Sequence, residues 1–242
     1  MKLRTDWYSQ HLQRTVTIVR WGHLGTPVLM FPTAGGDAEE CERFLMIKVL
    51  MPLIEAGRIK VYSCDSVAGK AWTSREGTGR HRAWLQNQFD KFIAEELVGA
   101  IRQDCNSPDI EVITAGASIG AFNAVATLCR HPDIFKTAIG LSGTYDLTRW
   151  LDDEWSDDFY FCSPLHYLPG LEGGPQLERL RERFVLLATG EGQWEAPHES
   201  WQMASVLGAK GVPNRVDPWG PEYDHNWPTW REMLPRYLDE LA

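Results

Sequence analysis

The chain lacks clustered positive charge, long apolar runs and paired cysteines, and each absence closes a class of function. Its 242 residues carry a formal net charge of −9. That is the wrong sign for a nucleic-acid backbone or an anionic membrane surface as main partner, since both select for clustered Lys and Arg. The densest basic stretch, Arg75 to Arg82, holds only Arg75, Arg80, His81 and Arg82; it reads as a solvated loop, with contact to an anionic part of a substrate as the alternative. No run approaches the roughly 20 apolar residues of a membrane span. Met1 to Trp7 has none of the apolar core of a signal peptide, so a cytoplasmic location is the expectation. The five cysteines, Cys41, Cys64, Cys105, Cys129 and Cys162, are odd in number and contain no C-x-x-C, which predicts reduced structural thiols rather than disulfides or a zinc site. No His-x-x-x-His or Cys/His cluster has metal-ligand spacing. Gly190-x-Gly192 continues as Gln-Trp-Glu with no third glycine, which argues against nucleotide binding. No metal and no cofactor are implied.

What is present suits a chain that buries a continuous core: 43% hydrophobic and 24% charged residues. Uniform composition at this length predicts one domain over 1–242, and a homo-oligomer is compatible with it. Short β-branched apolar runs alternate with helical patterns. The runs 27–31, 59–64, 109–115, 136–142, 183–189 and 214–217 read as strands, and 14–19 as an edge or antiparallel strand. Helical spacing covers about 38–56, 82–104, 119–129, 198–210 and 228–241. Residues 65–79 read as a long loop, and 143–174 as an irregular segment that could form a small cap or pocket wall. Strands alternating with helices predict an α/β fold, a mostly parallel sheet covered on both faces.

The chemistry centres on Gly116-Ala117-Ser118-Ile119-Gly120. A five-residue G-x-S-x-G match arises by chance in roughly one chain in fifteen of this length, but its placement between a predicted strand and helix is that of a nucleophile elbow. A serine hydroxyl needs a base within hydrogen-bond reach, and the base needs an acid to hold its tautomer. Of the seven histidines, His225 lies past the last predicted strand, where the base belongs; His166 and His198 fit less well. The loop after Thr189 offers Glu195, with Glu191 as the alternative acid and Asp146 or Asp217 as weaker ones. Asp224 adjoins His225 and suits a surface position. Two backbone N–H groups should stabilise the oxyanion: that of Ile119, and that of Thr33 or Ala34 in the turn after the early buried strand. Trp72, Trp155, Trp194 and Tyr160 fall on segments read as loops and are candidate substrate contacts, each with plain packing as the competing reading.

These residues resemble the Putative esterase family of α/β-hydrolases, which includes esterase D-like enzymes and the antigen 85 mycolyltransferases. The resemblance rests on Gly-Ala-Ser-Ile-Gly-Ala-Phe-Asn-Ala at 116–124, Gly-x-Gly-x-Trp-Glu at 190–195 and His-Asn-Trp-x-x-Trp at 225–230. It implies an α/β-hydrolase fold with Glu195 as triad acid, His225 as base and the turn after the early strand completing the oxyanion hole. The chain departs in carrying Phe-Pro-Thr-Ala-Gly-Gly at 31–36, where many hydrolases carry His-Gly. Without a secretion signal, a cell-wall mycolyltransferase role is not expected. The expected function is a serine carboxylic-ester hydrolase acting on a small-molecule ester. Acyl transfer or thioester hydrolysis with the same triad is one alternative. An inactive relative that binds ligands through its tryptophan-rich surface is another.

Overall fold

A computed structural model describes all residues, Met1–Ala242. Its eight strands form one sheet: β1 (Lys2–Ser9), β2 (Arg14–Trp21), β3 (Thr26–Phe31), β4 (Ile59–Cys64), β5 (Val112–Ala117), β6 (Phe135–Leu141), β7 (Phe184–Thr189) and β8 (Asn214–Pro218). Their order is β1-β2-β4-β3-β5-β6-β7-β8. Strands β3 to β8 run parallel, while β2 is antiparallel to both β1 and β4. This is the α/β architecture expected, with helices on both faces.

The apolar runs are central strands because both of their faces are covered. Every residue of β4 and β5 is buried. In β3 the alternation is visible in the packing: Leu29 and Phe31 join one apolar layer with Phe89, Val125 and Leu207. Val28 and Met30 join the opposite layer with Leu50, Trp230 and Leu234. A third group of Trp72, Ile119, Phe122, Leu147 and Phe159 lies against the start of the helix Ile119–Arg130. No helix is long and apolar enough to cross a membrane.

Several boundaries differ from the sequence reading. The strand read at 14–19 is antiparallel but not the edge; the missed β1 takes that place, exposed and charged through Lys2, Arg4 and Asp6. Such polarity blunts the edge against further pairing, and it also hides the apolar rhythm that would have marked a strand. The helix read at 38–56 is broken into Glu40–Arg43 and Met46–Glu55 by Leu45 at φ +64°. Tertiary contacts hold that break: Phe44 stacks on Trp227 at 5.0 Å, and its carbonyl accepts a hydrogen bond from Arg231.

The expected loop at 65–79 contains a helix, Val67–Thr73, and the following helix starts at Gly79 because the Thr78 hydroxyl accepts the His81 N–H. The basic stretch is not simply solvated. Arg82 is fully buried, its guanidinium donating to the carbonyls of Gly77 and Trp150 and paired with Asp152. Residues 143–174 carry short helices, among them Asp157–Cys162 and Pro164–Tyr167, with Phe159 buried against Trp72.

Candidate active site

Ser118 follows the last residue of β5 and directly precedes the helix Ile119–Arg130, with φ +57° and ψ −124°. A non-glycine residue there costs of the order of 1–3 kcal/mol and persists only where its surroundings hold it. Here the Ser118 N–H donates to the Leu141 carbonyl (3.0 Å), and the Ser118 carbonyl accepts from Ala121 and Thr144 (3.1 Å each). The flanking glycines are steric requirements. A Cβ on Gly120 would sit 2.6 Å from the Phe31 carbonyl oxygen, and one on Gly116 would sit 2.3 Å from that of Gly120. Their absence lets the elbow close against the end of β3.

The acid loop follows β7 and the histidine loop follows β8, so both stand at the carboxyl ends of neighbouring strands, as Ser118 does. Backbone bonds join the two loops: Glu191 N–H to Gly220 (2.9 Å), Gly192 N–H to Tyr223 (3.0 Å) and His225 N–H to Gln193 (3.0 Å). Asp224 adds to them by accepting the Gln193 N–H at 2.6 Å. Glu195 Oε2 lies 3.8 Å from His225 Nδ1, with the glutamate side chain 1% exposed and the imidazole 22%. Its Oε1 accepts the Ser142 hydroxyl at 2.5 Å, and Oε2 lies 3.3 Å from the Thr189 hydroxyl. Ser142 Oγ in turn accepts the Trp230 indole N–H at 2.9 Å, and Trp230 meets His225 edge to face at 5.2 Å.

Glu195, not Glu191, therefore faces the imidazole; Glu191 is exposed. His225 Nδ1 is buried without a hydrogen-bond partner, and Ser118 Oγ is not joined to the ring by a hydrogen bond. Contacts of this kind are often long before substrate arrives. Asp146 and Asp217 point elsewhere, to the Thr148 hydroxyl and the Tyr237 phenol. His198 is exposed.

The pair Thr33 or Ala34 is separated by its hydrogen bonds. The Thr33 N–H donates to Glu40 Oε2 at 2.7 Å, so it is not free for an oxyanion. The N–H of Ala34 donates to no protein acceptor, and Ala34 packs against the apolar group that includes Ile119. Ile119 is the first residue of its helix, where an N–H has no intrahelical acceptor.

The aromatic candidates divide. Trp72 is 0% exposed, edge to face with Phe159, its N–H given to Gln86; it belongs to the core, on the helix Val67–Thr73 where the sequence reads as loop. Tyr160 lines a cleft with Arg130, His131 and Gln176. Arg130 ends the 12-residue helix that Ser118 opens, which puts that cleft about 18 Å from the serine at 1.5 Å per residue. Both are corrections to the reading of these residues as substrate contacts. Trp194, beside Glu195, is 81% exposed at φ +67°, and Trp155 is 49% exposed. A cleft of about 390 Å³ borders the turn after β3 through Gly35 and Gly36. Two wider clefts, of about 560 and 600 Å³, are lined by residues such as Gly25, Asp109 and Asp133 around the starts of the parallel strands and away from Ser118; a third, of about 600 Å³, lies past the carboxyl end of β8 between Asp217, Trp219, Tyr223 and Tyr237.

Sequence reasoning missed Ser142, Thr189 and Glu40. Only Trp230 had a signal, in the His-Asn-Trp-x-x-Trp ending: there Asn226 accepts the Thr229 N–H to open the closing helix, and Trp230 reaches Ser142. The cysteines are free and, except for half-buried Cys105, buried. Burial pushes the thiols of Cys41 and Cys129 up to about 12, which leaves little thiolate for chemistry.

His166 sits against Trp155 and Phe159, with Nδ1 2.8 Å from the Ser163 hydroxyl. Burial lowers its pKa below the ordinary histidine value, opposed by the charge of Asp146. The unfolded chain then binds the proton first. The contribution of His166 to stability is intact above pH ~6.5 and is lost as pH falls through that value toward the lower folded pKa. The acid-induced drop in melting temperature between pH 8 and pH 5 should be smaller in His166→Phe than in wild type; equal drops would contradict this.

Among solved structures the chain is similar to an S-formylglutathione hydrolase from Agrobacterium tumefaciens, with TM-score 0.74 and 13% identity over 99% of this chain and 94% of that one. It is similar to a ferulic acid esterase (TM-score 0.71, 14% identity, 98% and 96% covered). A third match is FphF, a fluorophosphonate-binding serine hydrolase of Staphylococcus aureus (TM-score 0.69, 15% identity, 99% and 97% covered). At these identities the likeness is one of fold. None of the curated proteins matches the chain. The profile described as Putative esterase matches residues 35–240, from Gly35 to near the end of the closing helix. The chain belongs to the Putative esterase family, the serine esterases of the α/β-hydrolase fold.

Proposed function

We propose that the protein is a serine carboxylic-ester hydrolase working through Ser118, His225 and Glu195 and a covalent acyl-enzyme. The observation that carries this reading is the buried Glu195 carboxylate at 3.8 Å from His225 Nδ1, on a loop tied to the one that holds the histidine. Ser118 Oγ attacks the ester carbonyl while His225 Nε2 takes its proton. Charge builds on the carbonyl oxygen and is met by the N–H groups of Ile119 and Ala34. The tetrahedral species collapses, His225 returns the proton to the departing alkoxide, and water repeats the sequence in reverse to free the acid. Glu195 orients the ring and stabilises the imidazolium. No cofactor enters these steps.

A thioester would be cleaved by the same steps with a thiolate as leaving group, and an alcohol in place of water would give acyl transfer. The S-formylglutathione hydrolase likeness makes a thioester worth including among the substrates tried. Trp194, exposed beside Glu195, is the candidate to cover a bound acyl or leaving group.

The test is release of p-nitrophenol from p-nitrophenyl acetate together with labelling by a phosphonate probe. Turnover and a single adduct mapped to the peptide containing Ser118 are expected. The absence of both turnover and adduct would overturn the proposal.

A further inference from the structure

We infer that Glu40 is a positioning residue for the oxyanion turn, holding Thr33 so that the N–H of Ala34 faces the reacting carbonyl; this rests on the function proposed above. Glu40 is 6% exposed. Its Oε2 accepts the Thr33 N–H and its Oε1 accepts the Thr33 hydroxyl, each at 2.7 Å. Both oxygens of one buried carboxylate are thus spent on a single residue of the turn. Nothing about the core requires this: a carboxylate is costly to bury unless its hydrogen bonds are made, and an apolar side chain would fill the same space.

The next two peptide groups of the turn are held as well. The Thr33 carbonyl accepts the Gly36 N–H at 3.1 Å, and the Ala34 carbonyl accepts the Thr73 hydroxyl at 3.0 Å. A trans peptide is planar, so fixing the Thr33 carbonyl aims the Ala34 N–H in the opposite direction. Gly36 makes room for the clamp. A Cβ there would lie 2.4 Å from Glu40 Oε2 and 2.5 Å from the Pro32 Cβ. The second glycine of Gly35-Gly36 thereby acquires a reason independent of substrate approach: it admits the glutamate. Donors aimed in advance at the developing charge contribute to the rate because they need no reorganisation during reaction.

The test compares Glu40→Met, which keeps the volume and removes both acceptors, with Glu40→Gln, whose amide can still accept the Thr33 N–H and donate to its hydroxyl. In Glu40→Met, kcat for p-nitrophenyl acetate and the rate constant for phosphonate labelling should fall together by about 10- to 100-fold, with KM changed less than about twofold. Glu40→Gln should retain most of both rates. Gly36→Ala, which displaces the carboxylate without removing it, should reproduce the Glu40→Met kinetics, and the double variant should be no worse than either single one. A folded Glu40→Met, judged by its melting curve, with kcat and labelling within about twofold of wild type would overturn the inference. So would a loss seen in KM alone. If Glu40→Met does not fold, Gly36→Ala and Glu40→Gln decide it: equal rates in wild type and Gly36→Ala would overturn it. Loss of Ser118 labelling in the wild type would instead remove the function on which the inference rests.

Discussion

Ser118→Ala should lower kcat for p-nitrophenyl acetate by about 10⁴-fold or more and abolish the phosphonate adduct. The reason is chemical: alanine offers no atom to carry the acyl group, so only the oxyanion donors and the general base remain to assist direct attack by water. Ten-thousandfold corresponds to about 5.5 kcal/mol of transition-state stabilisation. KM should change little, because the hydroxyl contributes to bond making rather than to holding the ester. The fold should persist. Ser118 is held at φ +57° by its own backbone groups, and alanine makes the same three hydrogen bonds. A Ser118→Ala variant that melts like wild type and turns over at the wild-type rate would end the serine mechanism for this chain.

Glu195→Gln should cost about 10³- to 10⁴-fold in kcat, and Glu191→Gln should cost nothing measurable. A carboxylate at 3.8 Å from Nδ1 favours the tautomer with its proton on that nitrogen, leaving Nε2 able to accept from the serine. An amide can present its N–H₂ to Nδ1 instead, which favours the opposite tautomer and blocks the acceptor. The loss should be greater than that from weakening the neighbours, since Ser142 and Thr189 only orient the carboxylate. Glu191 is exposed and has no side-chain partner near the ring. Should Glu191→Gln be the crippled variant, the acid has been assigned to the wrong end of the loop.

The elbow was readable because β5 is buried on both faces and so is apolar or small throughout save for Thr114, and because the elbow excludes side chains on both sides of the serine. The order of serine, acid and histidine was readable for a related reason: in a parallel sheet all the carboxyl ends fall on one side, so residues following successive strands converge. Strand β1 was not readable, since its exposed, charged residues erase the alternation that marks a half-buried strand. The helix Val67–Thr73 was not either; Gly69 and Lys70 look like loop, and Trp72 became a pocket candidate instead of the core residue it is. Tyr160 failed for a different reason. Lying on an irregular segment near the site in sequence order says nothing about which end of a long helix the segment covers.

By itself the sequence determined the α/β fold class and singled out a candidate nucleophile and a candidate base, because these depend on local patterns: hydrophobic runs, a steric turn and chain order. The sequence and its family resemblance favoured Glu195 over Glu191, but only tertiary structure set Glu195 against His225 and decided which of Thr33 and Ala34 keeps a free N–H. Both choices turn on partners far away in the chain or on the far side of a turn: Ser142 and Trp230 for Glu195, Glu40 for Thr33. Such pairings leave no periodicity in the chain. They follow only when the strands set the loops side by side and each buried polar group must find an acceptor or a donor.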